Sequence, residues 1–146
     1  MTGEAAFLEV YLATMFRPVD SHCIHIDVRA NDLIRGAVTG VVRCYKEQFP
    51  DANLFISSTA VPAFDCDGSG LEANLICLRE LSLRDSKWQF YLNPSESSLP
   101  LLSHRDLRKW LKKEKRHSFV DLGTNERSDN QRHFRTMESY VVTDTN

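Results

Sequence analysis

The chain has 146 residues, 42% of them hydrophobic, which is enough for one domain with a modest core. Its formal net charge of −2 gives no overall attraction to nucleic acid or to an anionic membrane surface. No apolar run approaches the length of a transmembrane helix, and the first residues show no signal peptide. Taken alone, these features predict a cytosolic protein.

Hydrophobic periodicity predicts alternating helices and strands. Four segments have helical spacing of their apolar residues: 5–16, 32–48, 70–83 and 104–113. Three shorter apolar segments are typical of strands: 22–27, 53–57 and 88–92. This αβαβαβα order predicts an α/β fold, with a mostly parallel sheet and covering helices. Residues 1–117 form the predicted domain, and residues 118–146 are an irregular polar tail.

Three residues are predicted to cap helices. Asn31 and Ser103 are of the types that accept a hydrogen bond from the first helical turn. Ser69, with Glu72 three residues later, has the pattern of a capping box.

The segment Cys23-Ile24-His25-Ile26-Asp27 carries the most information about function. At a period of two, Cys23, His25 and Asp27 lie on one face of the predicted strand, and the two isoleucines lie on the other. Asp27 then stands at the carboxyl end of a parallel strand, where open α/β sheets bind their ligands. We therefore consider Asp27 a candidate contact to a nucleotide; the alternative is that it only ends the strand and caps a turn.

The four cysteines, Cys23, Cys44, Cys66 and Cys77, contain no Cys-x-x-Cys pair, which argues against a zinc ribbon or thioredoxin motif. Two interpretations stay open at this point. Buried free thiols are common in proteins, whereas structural disulfides would imply an oxidising compartment.

No metal site is predicted. Asp65-Cys66-Asp67 has the form of a metal-binding Asp-x-Asp, but it stands in a loop before a helix rather than after a buried strand. The same-face positions of residues 23, 25 and 27 rarely supply three zinc ligands. The basic residues of 105–116 are interleaved with a single aromatic, Trp110, so a solvated helix face is favoured over a nucleic-acid site.

Several of these segments together resemble the donor-binding half of the Core-2/I-branching family. Residues 23–27 are similar to the family's Cys-Ile-His-Val-Asp strand, and residues 53–55 to its Asn-Val-Phe strand. Residues 88–93 resemble its Trp-Lys-Tyr-Leu-Ile-Asn strand, and Ala73-Asn74-Leu75-Ile76-Cys77 falls on the matching helix. The resemblance extends from about Ala6 to Lys112. The family comprises β-1,6-N-acetylglucosaminyltransferases of mucin-type and I-antigen glycans, and peptide-O-xylosyltransferases.

This resemblance implies a partial GT-A-type, Rossmann-like nucleotide-sugar domain. It implies inverting transfer of N-acetylglucosamine from UDP-GlcNAc to a glycan acceptor, without a metal or other cofactor. Asp27 would contact the donor, and a disulfide would join Cys23 to Cys77. The expected location is the lumenal face of the Golgi membrane, although no anchor is visible in this sequence.

The chain also departs from the family pattern. Asp65 and Gly68 stand where the family has a Tyr and a Trp, and the Tyr is a donor contact in the family. The family's catalytic glutamate, the general base, has no counterpart among these 146 residues, so no catalytic residue is assigned and we expect no turnover by the chain alone. A non-catalytic binding module and a xylosyltransferase-like fragment are the alternative functions. Oligomeric state is not predicted.

Overall fold

The computed structural model describes residues 5–64, 68–94 and 100–114. This part of the chain contains four helices and two strands. In chain order they are α1 (Ala5–Met15), β1 (His22–Ile24), α2 (Asp32–Gln48), β2 (Leu54–Ile56), α3 (Ser69–Arg84) and α4 (His104–Lys113). The predicted boundary at residue 117 and the polar segment 118–146 lie outside the described residues.

The two strands pair in parallel, with Cys23 opposite Phe55 and Ile24 opposite Ile56. Helix α2 connects them, so β1, α2 and β2 form a βαβ unit, as parallel strands require a crossover. The predicted α/β class and parallel pairing are confirmed. The arrangement is compatible with part of a Rossmann-like glycosyltransferase domain.

Helices α1 and α2 bury apolar side chains against one face of this strand pair. Leu8 and Leu12 of α1, and Val38 and Val42 of α2, are spaced four residues apart, so each pair lies on one side of its helix. The buried cluster comprises these four residues together with Ile24, Ile26 and Leu54. Burial of this apolar surface is the main favourable contribution to the packing of the helices on the strands.

Local capping signals located two helices correctly. The Asn31 side chain accepts a hydrogen bond from the Ile34 amide (2.9 Å), and α2 has the predicted bounds. The Ser103 hydroxyl accepts a hydrogen bond from the Asp106 amide (3.2 Å) at the start of α4.

The predicted capping box at Ser69 is wrong. Ser69 is already the first residue of α3, and Gly68 occupies the N-cap without a side-chain bond. The Ser69 hydroxyl instead accepts a hydrogen bond from the Phe64 amide (2.8 Å), which ties the preceding segment to the helix. The Ser69 hydroxyl oxygen, which was predicted to cap α3, thus accepts its bond from a residue outside the helix.

The third predicted strand is also absent from the described part of the chain, where residues 88–92 have no regular secondary structure. A strand needs a neighbour for its backbone hydrogen bonds, and an apolar pattern alone does not supply one. This segment is held to α3 by a side chain, since the Tyr91 hydroxyl donates to the Asn74 carbonyl (3.1 Å). The two observed strands are three residues each, shorter than the predicted 22–27 and 53–57.

A disulfide joins Cys23 of β1 to Cys77 of α3, with 5.7 Å between their Cα atoms. It is the pairing that the family resemblance implies, and it excludes free thiols at these two positions. Cys44 is free and exposed on α2. Cys66 lies outside the described residues. None of the described helices is long and apolar enough to cross a membrane.

Polar side chains anchor α4 near the amino end of β1. His104 Nδ1 accepts a hydrogen bond from Arg17 (3.1 Å), because a guanidinium can only donate. His104 Nε2 therefore carries the proton and donates to Asp20 (2.9 Å). His22 is half-buried nearby, and its buried Nε2 atom has no hydrogen-bond partner within the described residues. Burial lowers the pKa of His22, despite the opposing charge of Asp20.

Replacing both Cys23 and Cys77 by serine should lower the free energy of unfolding by about 2–4 kcal/mol, because the disulfide closes a loop with a sequence separation of 54. Urea denaturation measures this change. Replacing the exposed Cys44 by serine is the matched control and should leave the midpoint unchanged. Equal midpoints for the double variant and the parent chain would contradict a stabilising disulfide.

The free energy of unfolding should fall as the pH drops below about 6.5, because the fold lowers the pKa of His22 and the unfolded chain therefore binds a proton there more readily. Each such histidine contributes a slope of up to about 1.4 kcal/mol per pH unit. Replacing His22 by phenylalanine should flatten the slope between about pH 5 and 7, measured by urea denaturation at each pH. An unchanged slope would contradict the assignment to His22.

Candidate functional site

The candidate site lies at the carboxyl edge of the parallel strands, where β1 and β2 end together at Ile24 and Ile56. Residues 25–29 leave β1 at this edge, and residues 57–64 leave β2 there. In open α/β folds ligands bind at the carboxyl ends of the strands. These two segments are therefore the candidate ligand-binding segments.

The predicted alternation of side chains continues beyond the end of β1. Ile24 and Ile26 are buried in the core with α1 and α2, whereas Cys23 is bonded to Cys77 of α3. His25 and Asp27 face the same way as Cys23, since both contact the segment between β2 and α3. One face of this stretch therefore supports the core, and the other faces the candidate site.

Hydrogen bonds hold residues 61–63 against the extension of β1. His25 Nε2 accepts from the Val61 amide (3.2 Å), and the Val61 carbonyl accepts from the Val28 amide (3.3 Å). The Ala63 amide donates to Asp27 Oδ2 (2.9 Å). Because Nε2 of His25 accepts, this nitrogen carries no proton. Burial also lowers the pKa of His25, which favours the neutral ring.

The Asp27 carboxylate is fully buried, and both of its oxygens accept hydrogen bonds within the chain. Oδ1 accepts from the Arg29 amide (2.7 Å) and from Arg29 Nε (2.9 Å). Oδ2 accepts from Arg29 Nη2 (2.6 Å) and from the Ala63 amide (2.9 Å). A carboxylate offers about four acceptor positions, and these four bonds fill them. A ligand that contacts Asp27 directly must displace one of these donors.

The same bonds fix the charge of Asp27. Hydrogen bonds from the Arg29 side chain hold the pKa of Asp27 well below its usual range, and they outweigh the opposing effect of burial. The Ala63 and Arg29 amides act in the same direction. Asp27 is therefore ionised at physiological pH, and Arg29 balances its charge.

Arg29 is the more accessible member of this pair, with 43% of its side chain exposed, against none for Asp27. Its Nη2 also donates to the Ala63 carbonyl (3.0 Å), and its guanidinium lies 3.9 Å from the centroid of the Phe64 ring. The ring of Phe64 is itself partly exposed. The guanidinium thus lies over one face of the ring, so a cationic group and an aromatic residue are stacked at the edge, an arrangement suited to an anionic or flat ligand.

Two further residues organise this edge, and neither is predicted from the sequence. Arg35 of α2 donates from Nη2 to the carbonyls of Asp27 (3.0 Å) and Val28 (2.7 Å), which fixes the turn that follows β1. Glu80 of α3 accepts from Ser57 and Ser58, just after β2. In sequence both resemble ordinary charged residues on amphipathic helices, so no pattern distinguishes them.

Within the described residues, no group of three histidine, cysteine or acidic side chains is placed to hold a metal ion. Residues 23, 25 and 27 do not form a zinc site, because the sulfur of Cys23 is bonded to Cys77. Asp65-Cys66-Asp67 lies outside the described residues.

The chain is similar to known proteins over most of its length. The family model for the Core-2/I-branching enzyme matches residues 1–145. The mouse protein named N-acetyllactosaminide beta-1,6-N-acetylglucosaminyl-transferase is 31% identical over 98 residues, which are 67% of this chain and 23% of the mouse protein. The human protein of that name is 30% identical over 111 residues, 76% of this chain and 25% of the human protein.

A viral protein aligns over more of the chain. The beta-1,3-galactosyl-O-glycosyl-glycoprotein beta-1,6-N-acetylglucosaminyltransferase of bovine herpesvirus 4 (strain LVR140) is 28% identical over 138 residues. These are 94% of this chain and 29% of the viral protein. The chain thus matches about a quarter of the length of these curated relatives.

Replacing Asp27 by alanine should lower the free energy of unfolding by about 3 kcal/mol, because it leaves Arg29 without its counter-charge and the Ala63 amide without an acceptor. Urea denaturation checks this value. Glu47→Ala is the control, since Glu47 makes only an exposed ion pair with Arg43, and it should change stability by less than about 1 kcal/mol. Similar losses for the two variants would contradict the anchoring role of Asp27.

Proposed function

The chain belongs to the Core-2/I-branching enzyme family, and from this membership we propose that it carries the donor-binding part of a β-1,6-N-acetylglucosaminyltransferase. The match of the family model over residues 1–145 is the observation that carries the proposal. The parallel strand edge, with Asp27, Arg29 and the segment 61–64, supplies a place for the nucleotide.

The proposed reaction is inverting transfer of N-acetylglucosamine from UDP-GlcNAc. A glycan hydroxyl attacks the anomeric carbon, the bond from that carbon to the diphosphate breaks, and UDP leaves. The hydroxyl proton passes to a general base. We assign no base within these residues, and we propose that they bind the donor without transferring sugar when they are tested by themselves. We propose no metal in this reaction.

The geometry of the edge supports a specific role for Asp27. Its carboxylate orders the Arg29 guanidinium and the backbone at Ala63. We propose that the nucleotide lies against this surface, with the aromatic ring of Phe64 beside it. Asp27 then contributes to donor affinity through the groups that it holds, and a direct contact requires one of its present donors to give way.

The location proposed for the protein is the lumenal face of the Golgi membrane, as expected for a family member. The Cys23–Cys77 disulfide supports an oxidising compartment, since cytosolic thiols are kept reduced.

A non-catalytic binding module is the second candidate function. It is favoured by one observation, namely that the four acceptor positions of Asp27 are already filled within the chain. In such a module the carboxylate would be purely structural and the edge would not take a nucleotide.

Isothermal titration calorimetry of the full chain with UDP tests the proposal. We expect saturable binding with a Kd in the micromolar-to-millimolar range, on the order of −4 to −8 kcal/mol. Asp27→Asn should weaken binding about tenfold or more, because the amide nitrogen that replaces one carboxylate oxygen cannot accept bonds such as those that Oδ2 now accepts from Arg29 and Ala63.

The control for this titration is Glu47→Ala, which alters an exposed position on α2 and should bind UDP as the parent chain does. Circular dichroism verifies that each variant is folded at the temperature used. Failure of the folded parent chain to bind UDP would contradict the proposed function and favour the non-catalytic module.

A further inference from the structure

Helix α3 reaches the candidate site through Glu80. The Glu80 Oε1 atom accepts hydrogen bonds from the Ser57 hydroxyl (3.0 Å), the Ser58 hydroxyl (2.8 Å) and the Ser58 amide (3.0 Å). Oε2 lies 3.3 Å from the same amide. Ser57 and Ser58 directly follow β2, so this side chain contacts the first residues of the segment that leaves the sheet at the carboxyl edge.

The charge of Glu80 suits this role. Burial alone would raise the pKa of Glu80, but hydrogen bonds from Ser58 and Ser57 lower it overall, with a further contribution from Arg84. The side chain is therefore an ionised acceptor. Hydrogen bonds to a charged acceptor are stronger than neutral ones, so the contact fixes the two serines firmly.

The opposite end of the same segment is held by β1. The amides of Val61 and Ala63 donate to His25 and Asp27. The stretch from residue 57 to residue 63 thus lies between two anchors, one on α3 and one on the extension of β1. Loss of either anchor would let one end of this stretch move, and the surface beside Arg29 would change with it.

Helix α3 is itself fixed independently of Glu80. Cys77, three residues earlier, is bonded to Cys23 of β1. Glu80 is therefore carried by a helix that is covalently attached to the strand next to the site, and removal of its carboxylate should leave the helix in place.

We infer that Glu80 is a positioning residue for the nucleotide: through Ser57 and Ser58 it holds segment 57–63 in the arrangement that binds UDP. This inference rests on the proposed function. Glu80 itself does not touch the ligand in this account. Its removal lowers the population of the binding-competent arrangement, and the measured affinity falls by the same factor.

The test compares three variants of the full chain. Glu80→Ala removes the acceptor, and it should weaken UDP binding about tenfold. Glu80→Gln keeps one neutral carbonyl oxygen, which can accept two of the three bonds now made to Oε1, and it should recover part of the affinity, to within about threefold of the parent. Glu72→Ala, an exposed change on the same helix, is the matched control and should have no effect.

Hydrogen exchange supplies a second measurement that needs no ligand. In Glu80→Ala, exchange at the amides of Ser58, Val61 and Ala63 should accelerate, while exchange within α2 should stay as in the parent chain. Rescue of both the affinity and the exchange rates by Glu80→Gln distinguishes positioning from a general loss of stability.

UDP binding by the parent chain and by the Glu80 variants distinguishes failure of the positioning role from failure of the proposed function. If the parent chain binds UDP and Glu80→Ala binds equally well, the inference is overturned and the proposed function stands. Equal weakening in the Gln and Ala variants would also overturn it, because a glutamine oxygen still accepts bonds from the two serines and should hold the segment better than alanine, which has no acceptor. If the parent chain does not bind UDP, the proposed function fails and the positioning role fails with it.

Discussion

The buried Asp27 carboxylate is the interaction on which the carboxyl edge depends. An ionised group without access to water is stable only when its acceptor positions are filled, and here Arg29 and the Ala63 amide fill them. The need to fill these acceptor positions brings Asp27 and Ala63, 36 positions apart, into contact. It also holds the half-exposed guanidinium of Arg29 at the surface. The carboxylate therefore shapes the site even though it is itself inaccessible. In the proposed site a ligand would contact the groups that Asp27 holds, not Asp27 itself.

Features that depend on neighbouring residues could be predicted from the sequence. Asn31 and Ser103 each accept a hydrogen bond from an amide three residues later, so a short pattern was sufficient to locate α2 and α4. The alternation of Cys23, His25 and Asp27 was also predicted correctly, because side-chain direction in extended backbone follows from local geometry. These features require no knowledge of the distant chain.

Features that depend on distant partners could not be predicted in the same way. The Ser69 hydroxyl bonds the Phe64 amide rather than capping α3, and residues 88–92 have strand-like composition without a paired neighbour among the described residues. The roles of Arg35 and Glu80 depend on carbonyls, hydroxyls and an amide that they reach only in the folded chain. The Cys23–Cys77 pairing was predicted from family resemblance, because the spacing of the cysteines alone does not distinguish free thiols from disulfides.

The central claim is that a nucleotide binds at the carboxyl edge of β1 and β2. Mapping the amide chemical shifts of the chain by NMR during addition of UDP tests this claim most directly, because each amide reports on its own surroundings. We expect saturable shifts concentrated in residues 25–29 and 57–64, with little change in α4. Shifts concentrated in α4, or no shifts at saturating UDP, would contradict it.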